Sequence, residues 1–354
     1  MSAKTQLKQI LMSQVGKASL ASKWMPRKGE IANDLRKYLN YDPKTYRKML
    51  VNLTKVVETQ MCAKEWDQIN YDHVPSVAAN RYQKAFNKRD ATRYAAWKEG
   101  LKDGTSKVNA GVLYPYSILK SIQHGDREVS LAQWEALPNY LNPSSRVLPM
   151  VDVSGSMTCQ VGGQKGIGLT CMEVATSLGL YIADKQQGPF KDMWLTFTRD
   201  SHIDILKGDL LQKLSQMTRT VGYDTNLESA FRAVLHVAVS NNLPREEMPQ
   251  TLVVLTDLEF NSAIMGGKSV GAFELATRMF ESAGYECPRI VWWNLNARGD
   301  GKGNVPVRFD EHGTACVSGF SPSLMKSILS GKDFTPRSIM LETVLSERYA
   351  AIRA

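Results

Sequence analysis

The sequence predicts a doubly wound α/β domain in the C-terminal part of the chain, preceded by an all-helical, helical-repeat-like domain. Two observations lead there. Up to about residue 140 apolar side chains recur at three- and four-residue spacing. From Val147 onward short all-apolar runs alternate with longer helical stretches. Charge divides at the same place: residues 1–145 carry 23 Lys+Arg against 13 Asp+Glu, and the remainder 21 against 22. With 354 residues, the chain is long enough for two cores.

Taken in order, Leu7, Ile10 and Leu11 open a helical pattern, and Tyr46, Met49, Leu50, Leu53, Val56 and Val57 repeat it. Asp42 caps that second helix and Pro43 occupies its first turn, where a missing N–H costs nothing. Further helices are expected over Pro75–Asn87, Ala91–Lys102 and Pro115–Gln123. Asn142-Pro143-Ser144-Ser145 lacks an apolar anchor and sets the expected boundary, giving domains 1–142 and 143–354. Beyond it come strand Val147–Val153, helix Gly166–Gln186, strands Asp192–Phe197 and His202–Leu206, and helices Leu210–Thr218 and Leu227–Ser240. Strand Thr251–Leu255, helix Ala272–Ala283, strands Arg289–Trp293 and Ala315–Phe320, and helix Pro336–Ile352 complete the pattern. Runs such as Leu252-Val253-Val254-Leu255 are apolar throughout, as strands are when helices cover both faces of a parallel sheet.

Composition excludes several classes. The N-terminus is interrupted by Lys, Gln and Ser every few residues, so no signal peptide is expected. No apolar run approaches the roughly 18 to 20 residues that cross a bilayer. A cytoplasmic protein follows as the expectation. Cys62, Cys159, Cys171, Cys287 and Cys316 form an odd set without a C-x-x-C pair, so neither a zinc site nor a disulfide framework is expected. His73, His124, His202, His236 and His312 stand apart from any nucleophile. Residues 1–50 hold 11 basic and 3 acidic side chains, including the pairs Arg27-Lys28, Arg36-Lys37 and Arg47-Lys48. One-sided charge of this kind suits a polyanion-binding face, although a solvated helical exterior carries the same pattern.

The grouping that carries chemistry begins where the first strand runs into Asp152-Val153-Ser154-Gly155-Ser156, a D-x-S-x-S motif. Gly222-Tyr223-Asp224-Thr225 precedes a helix, and Leu255-Thr256-Asp257 ends a later strand. Carboxylates at strand C-terminal ends lie where such sheets bind ligands. This order of three loops resembles the metal-ion-dependent adhesion site of von Willebrand factor A domains, over about residues 146–335. The resemblance implies a divalent-metal site built by Asp152, Ser154, Ser156, Thr225 and Asp257, with both acids acting through water. Mg²⁺ prefers six hard oxygens, and Mn²⁺ or Ca²⁺ accepts similar donors. An open position on the ion would attract an acidic group from a partner. The threonine loop departs from the family's common Gly-Gly-Thr.

Two other motifs lead nowhere. Gly266-Gly267-Lys268-Ser269 ends like a phosphate-binding loop, but Ser262 stands where the leading glycine belongs. Ser154 and Ser156 lack the G-x-S-x-G elbow of a hydrolase. No catalytic residues are assigned, and a non-enzymatic protein is expected.

A basic helical unit before a metal-binding domain resembles the Ro autoantigen layout, in which a helical ring binds small structured RNAs. The stretch Cys62-Ala63-Lys64-Glu65-Trp66-Asp67-Gln68-Ile69-Asn70-Tyr71, followed by Val74-Pro75-Ser76-Val77-Ala78, is similar to an uncharacterised family of this layout in plants, fungi and large viruses. Ser19–Pro26 and Lys107–Gly111 extend the likeness. The Ro-like layout implies an RNA-binding or ribonucleoprotein scaffold; the basic pairs make Arg27, Lys28, Arg36, Lys37, Arg47 and Lys48 the candidate contacts for structured RNA, and an open position on the metal calls for an acidic protein ligand. An adaptor with no nucleic-acid role is the alternative, and a metal-dependent hydrolase is a third.

Overall fold

The computed structural model describes residues 19–142, 146–161, 168–219, 226–257, 268–296, 314–319 and 322–330, and positions 337, 340, 341, 344 and 345. The expected patterns at Leu7–Leu11 and most of Pro336–Ile352 lie outside them. Residues 1–110 and 125–136 form one compact unit, and residues 111–124 and 137–354 form the other.

The first unit is helical. Helices α1 (Ser19–Trp24), α2 (Glu30–Tyr38) and α3 (Pro43–Leu53) surround a small core of Ala32, Leu35, Tyr46 and Leu50. Asp42 caps α3 through the Lys44 and Thr45 amides, ahead of Pro43, as its sequence requires. The apolar pattern through Val57 is split into two helices: the Thr54 hydroxyl turns back onto the Leu50 carbonyl and the backbone becomes extended there. Helix α4 (Val57–Ala63) then restarts the pattern.

Helices α5 (Ser76–Arg89), α6 (Ala91–Asp103) and α8 (Arg127–Glu135) enclose an aromatic cluster. Tyr71 lies 5.2 Å from Phe86 and 5.3 Å from Tyr94, and Tyr94 stacks 5.6 Å from Trp97. Arg93 donates to the Trp66 and Ile69 carbonyls, both at 2.6 Å, and Trp97 donates to Asp72 at 2.9 Å. The stretch around Trp66–Ala78 is thus framework, with its polar groups satisfied by α6.

The second unit is built on a six-stranded sheet of β1 (Val147–Asp152), β2 (Met193–Phe197), β3 (Ile203–Ile205), β4 (Thr251–Thr256), β5 (Arg289–Asn294) and β6 (Thr314–Ser318). Their spatial order is β3-β2-β1-β4-β5-β6, all parallel except β3, which pairs antiparallel with β2. The sheet is therefore mixed. Only three residues long, β3 makes a short edge strand.

Register divides the sheet into two faces. Met150 pairs with Leu195 and Val254, and Val254 with Trp292. These side chains pack with Phe231, Val234, Ala276 and Phe280 of helices α11 (Leu227–Ser240) and α12 (Lys268–Ser282). Alternate residues, Val151 and Leu255, point to helix α9 (Cys171–Lys185), where a Cβ added to Gly179 would lie 2.5 Å from Val151. Helix α9 is buried from Val174 through Ala183, because it packs on the strands and also on α7 (Pro115–His124) and α10 (Leu210–Arg219). Helix α7 therefore belongs to the second unit, although it precedes Asn142-Pro143 in the chain. Thr170 and Glu173 form a reciprocal capping box that starts α9. Helix α13 (Pro322–Leu329) follows β6.

Candidate metal centre

The site lies at the C-terminal edge of adjacent strands β1 and β4. Strand order reverses between them, since β1 leads outward to β2 while β4 leads to β5 on the other side. Such a reversal opens a crevice at the strand ends.

Asp152 ends β1 and is 2% exposed; Asp257 follows β4 and is 4% exposed. The Asp152 carboxylate accepts a 2.9 Å hydrogen bond from the Ser154 amide on Oδ1 and a 2.7 Å bond from the Thr256 hydroxyl on Oδ2. That first bond closes a tight turn, and a 3₁₀ turn over Gly155–Thr158 follows. Ser154 Oγ and Ser156 Oγ then stand 3.0 Å apart. The fold thus brings Asp152, Ser154 and Ser156 together and sets Asp257 close enough to act on Asp152. Thr225 lies outside the described residues, as do Gly266 and Gly267.

Burial pushes the Asp152 carboxyl above its ordinary pKa; hydrogen bonds from Ser154 and Thr256 oppose the rise, and the Asp257 charge adds to it. The groups acting on Asp152 are thus neutral donors and a second carboxylate. Two hydroxyls beside two acids form the hard oxygen set that a small divalent ion takes, so the residues present fit such an ion. Among the described residues, no cluster of three or more His, Cys, Asp or Glu could hold a metal.

Sequence reasoning passed over three neighbours of this site. Thr256 is fully buried and holds Asp152, and its position directly before Asp257 was the available signal. Cys159 lies 3.9 Å from Asp257 Oδ2 and 3.5 Å from Cys171 Sγ, a proximity that no spacing rule reveals.

The six basic candidates fall on α2, α3 and the loop before α2. Arg27, Lys28, Lys37, Arg47 and Lys48 are exposed and Arg36 is half-buried. The Tyr46 hydroxyl donates to the Pro26 carbonyl at 3.1 Å, tying that loop to α3. Burial raises the Tyr46 pKa, and the nearby Arg27 guanidinium opposes the rise. Arg27 therefore sits by the helix that carries Arg47 and Lys48.

Fold and site together define a helical unit joined to an α/β unit with a hydroxyl-and-carboxylate cluster at its strand ends. The chain belongs to the family described as Domain of unknown function (DUF7788), which matches residues 146–349. Residues 19–146 match a second family, Domain of unknown function (DUF2828). Uncharacterized protein L728 of Acanthamoeba polyphaga mimivirus is 31% identical over 359 residues, covering 92% of this chain and 60% of that protein. The chain thus spans less than two thirds of that relative. The crystal structure of the Deinococcus radiodurans RO (RSR) protein aligns with a TM-score of 0.49 and 18% identity, over 90% of this chain and 74% of that one. Among the described residues, no helix is long and apolar enough to cross a membrane.

Proposed function

We propose that this protein is a non-enzymatic, Ro-like RNA-binding scaffold whose C-terminal unit is a von Willebrand A-type domain that captures a partner through a divalent cation. The observation that carries the reading is the convergence of Asp152, Ser154 and Ser156 from β1 with Asp257 from β4 at the reversal of strand order. Ser154, Ser156 and Thr225 would offer hydroxyls to Mg²⁺, or to Mn²⁺ or Ca²⁺, with Asp152 and Asp257 holding its water. The bound ion supplies an electrophilic position for a partner carboxylate. This chain's own residues orient the donors: Thr256 holds Asp152 in place, and the tight turn at Ser154 brings the serine hydroxyls together.

RNA contact is assigned to Arg27, Lys28, Arg36, Lys37, Arg47 and Lys48. The exposure of five of the six supports this assignment, and the Tyr46–Pro26 tie sets Arg27 and Lys28 beside the helix that carries Arg47 and Lys48. Isothermal titration with Mg²⁺ or Mn²⁺ tests the metal half, and Asp152→Ala is expected to abolish uptake. Binding of structured RNA at rising salt tests the other half. About six phosphate contacts would cost on the order of a thousandfold in affinity between 50 and 200 mM salt. A flat salt response with intact partner capture would leave the adaptor reading in its place.

A further inference from the structure

We propose that Cys159 and Cys171 form a reversible dithiol/disulfide site beside the metal centre. The pair is made by the fold. Gln160 and Thr170 bridge in antiparallel fashion, the Val161 amide donates to the Leu169 carbonyl at 2.9 Å, and the Cys171 amide donates to the Cys159 carbonyl at 3.0 Å. Cys159 and Cys171 therefore stand opposite each other at one end of an isolated antiparallel bridge, joined by a single backbone hydrogen bond. Facing Cα atoms of an antiparallel pair stand about 4.5 to 5.5 Å apart, within the range that a disulfide spans.

The side chains already converge, with Sγ atoms 3.5 Å apart, so a modest rotation about each Cα–Cβ bond closes them to bonding distance. Neither is disulfide-bonded in the structure. Cys159 is half-buried and open to a reagent, whereas Cys171 is buried in the first turn of α9, which makes it the resolving partner.

The oxidant is a small-molecule disulfide such as oxidised glutathione. Cys159 sulfur, losing its proton, bonds to one sulfur of the reagent; the reagent S–S bond breaks and one thiolate leaves and takes up a proton. Cys171 sulfur, likewise deprotonated, then bonds to Cys159 sulfur and displaces the second thiol. The protein loses two electrons, the reagent gains them, and both protons end on the released thiols.

Cys159 Sγ also lies 3.9 Å from Asp257 Oδ2, and the 3₁₀ turn that follows Ser154 ends at Cys159. Closing the disulfide pulls this sulfur toward α9 and away from Asp257. Resting on the metal reading above, this predicts that the oxidised chain binds the divalent ion roughly 10- to 100-fold more weakly, the usual effect of disturbing a neighbour of a metal ligand.

The test oxidises the full chain with glutathione disulfide, alkylates the remaining thiols and maps peptides without reduction. A Cys159–Cys171 cross-link reversed by dithiothreitol is expected. Cys159→Ser and Cys171→Ser should each abolish it, and the exposed Cys62 serves as the reactivity control. Full alkylation of both cysteines under conditions that glutathionylate Cys62, or linkage of either to another cysteine, overturns the proposal. Mn²⁺ titration of the reduced and oxidised chains then separates the two claims. Weaker uptake only after oxidation supports the coupling, and equal uptake by a cross-linked chain overturns it. Failure of the reduced chain to take up Mn²⁺ defeats the metal reading alone, and the thiol pair is still decided by the peptide map.

Discussion

Thr256 donates a 2.7 Å hydrogen bond to Asp152 from the neighbouring strand, and both residues are buried. The bond holds a carboxylate that burial and the Asp257 charge would otherwise drive toward protonation. Thr256→Val keeps the shape and removes the donor. Thermal unfolding in chelator should show a loss of about 1 to 3 kcal/mol, the cost of stranding a buried acceptor. Mn²⁺ affinity should fall by roughly 10- to 100-fold.

Asp152→Asn separates charge from shape. Without divalent ions the substitution removes a repulsion with Asp257, so the thermal midpoint in chelator should hold or rise. Added Mn²⁺ should stabilise the parent chain and leave the variant unmoved. An equal Mn²⁺-induced shift in both proteins would remove Asp152 from the metal site.

Gly179 lies where α9 packs directly against β1. A methyl there would stand 2.5 Å from Val151 Cγ2 and 2.9 Å from Met217 Cε. Met217 ends in a flexible thioether and can yield, but Val151 is fixed within β1. Gly179→Ala should therefore cost about 1 to 3 kcal/mol from overpacking, measured by denaturant titration.

The helical unit contains an acid-sensitive ion-pair group. Lys102, at 2.8 Å, and Lys98, at 3.0 Å, hold the Glu128 carboxyl below its ordinary pKa. A carboxylate depressed in the folded state adds stability above its unfolded pKa, and that stability is lost as pH falls through the folded value. Glu128→Gln should lower the thermal midpoint at neutral pH and converge with the parent in acid. Because Glu128 is partly exposed, the difference should also shrink in salt.

The basic face yields a graded expectation. Replacing Arg47 and Lys48 together with alanine should weaken RNA binding similarly for all sequences and reduce the salt slope by about one for each phosphate left without a cation. Tyr46→Phe, which frees the loop bearing Arg27 and Lys28, should cost about 1 kcal/mol of stability. Filter binding across a salt series checks the double variant, and thermal unfolding checks Tyr46→Phe.

Strand identity and the positions of Asp152 and Asp257 were legible because all-apolar runs end abruptly in acids. Asp42-Pro43 was equally plain. The break at Thr54 was not, since a hydroxyl folding back on a carbonyl leaves the apolar period undisturbed. The short helices Ser19–Trp24, Glu30–Tyr38 and Arg127–Glu135 were missed because two or three turns show too little periodicity. Helix α9 begins at Cys171, with residues 168–170 of the expected helix outside it, and the Thr170-x-x-Glu173 box was the mark that placed it. The opposition of Cys159 and Cys171 depends on an isolated bridge that local spacing does not encode.

Because Pro115–His124 packs with the sheet-bearing unit and Arg127–Glu135 with the helical one, the polypeptide passes between units three times before β1. Cutting the gene at residue 143 would strip α9 of its outer cover and leave the apolar side chains of Ile118, Leu119 and Ile122 on the wrong fragment. Neither half is then a self-sufficient module. A sheet-bearing fragment should become soluble only when residues 111–124 are supplied with it.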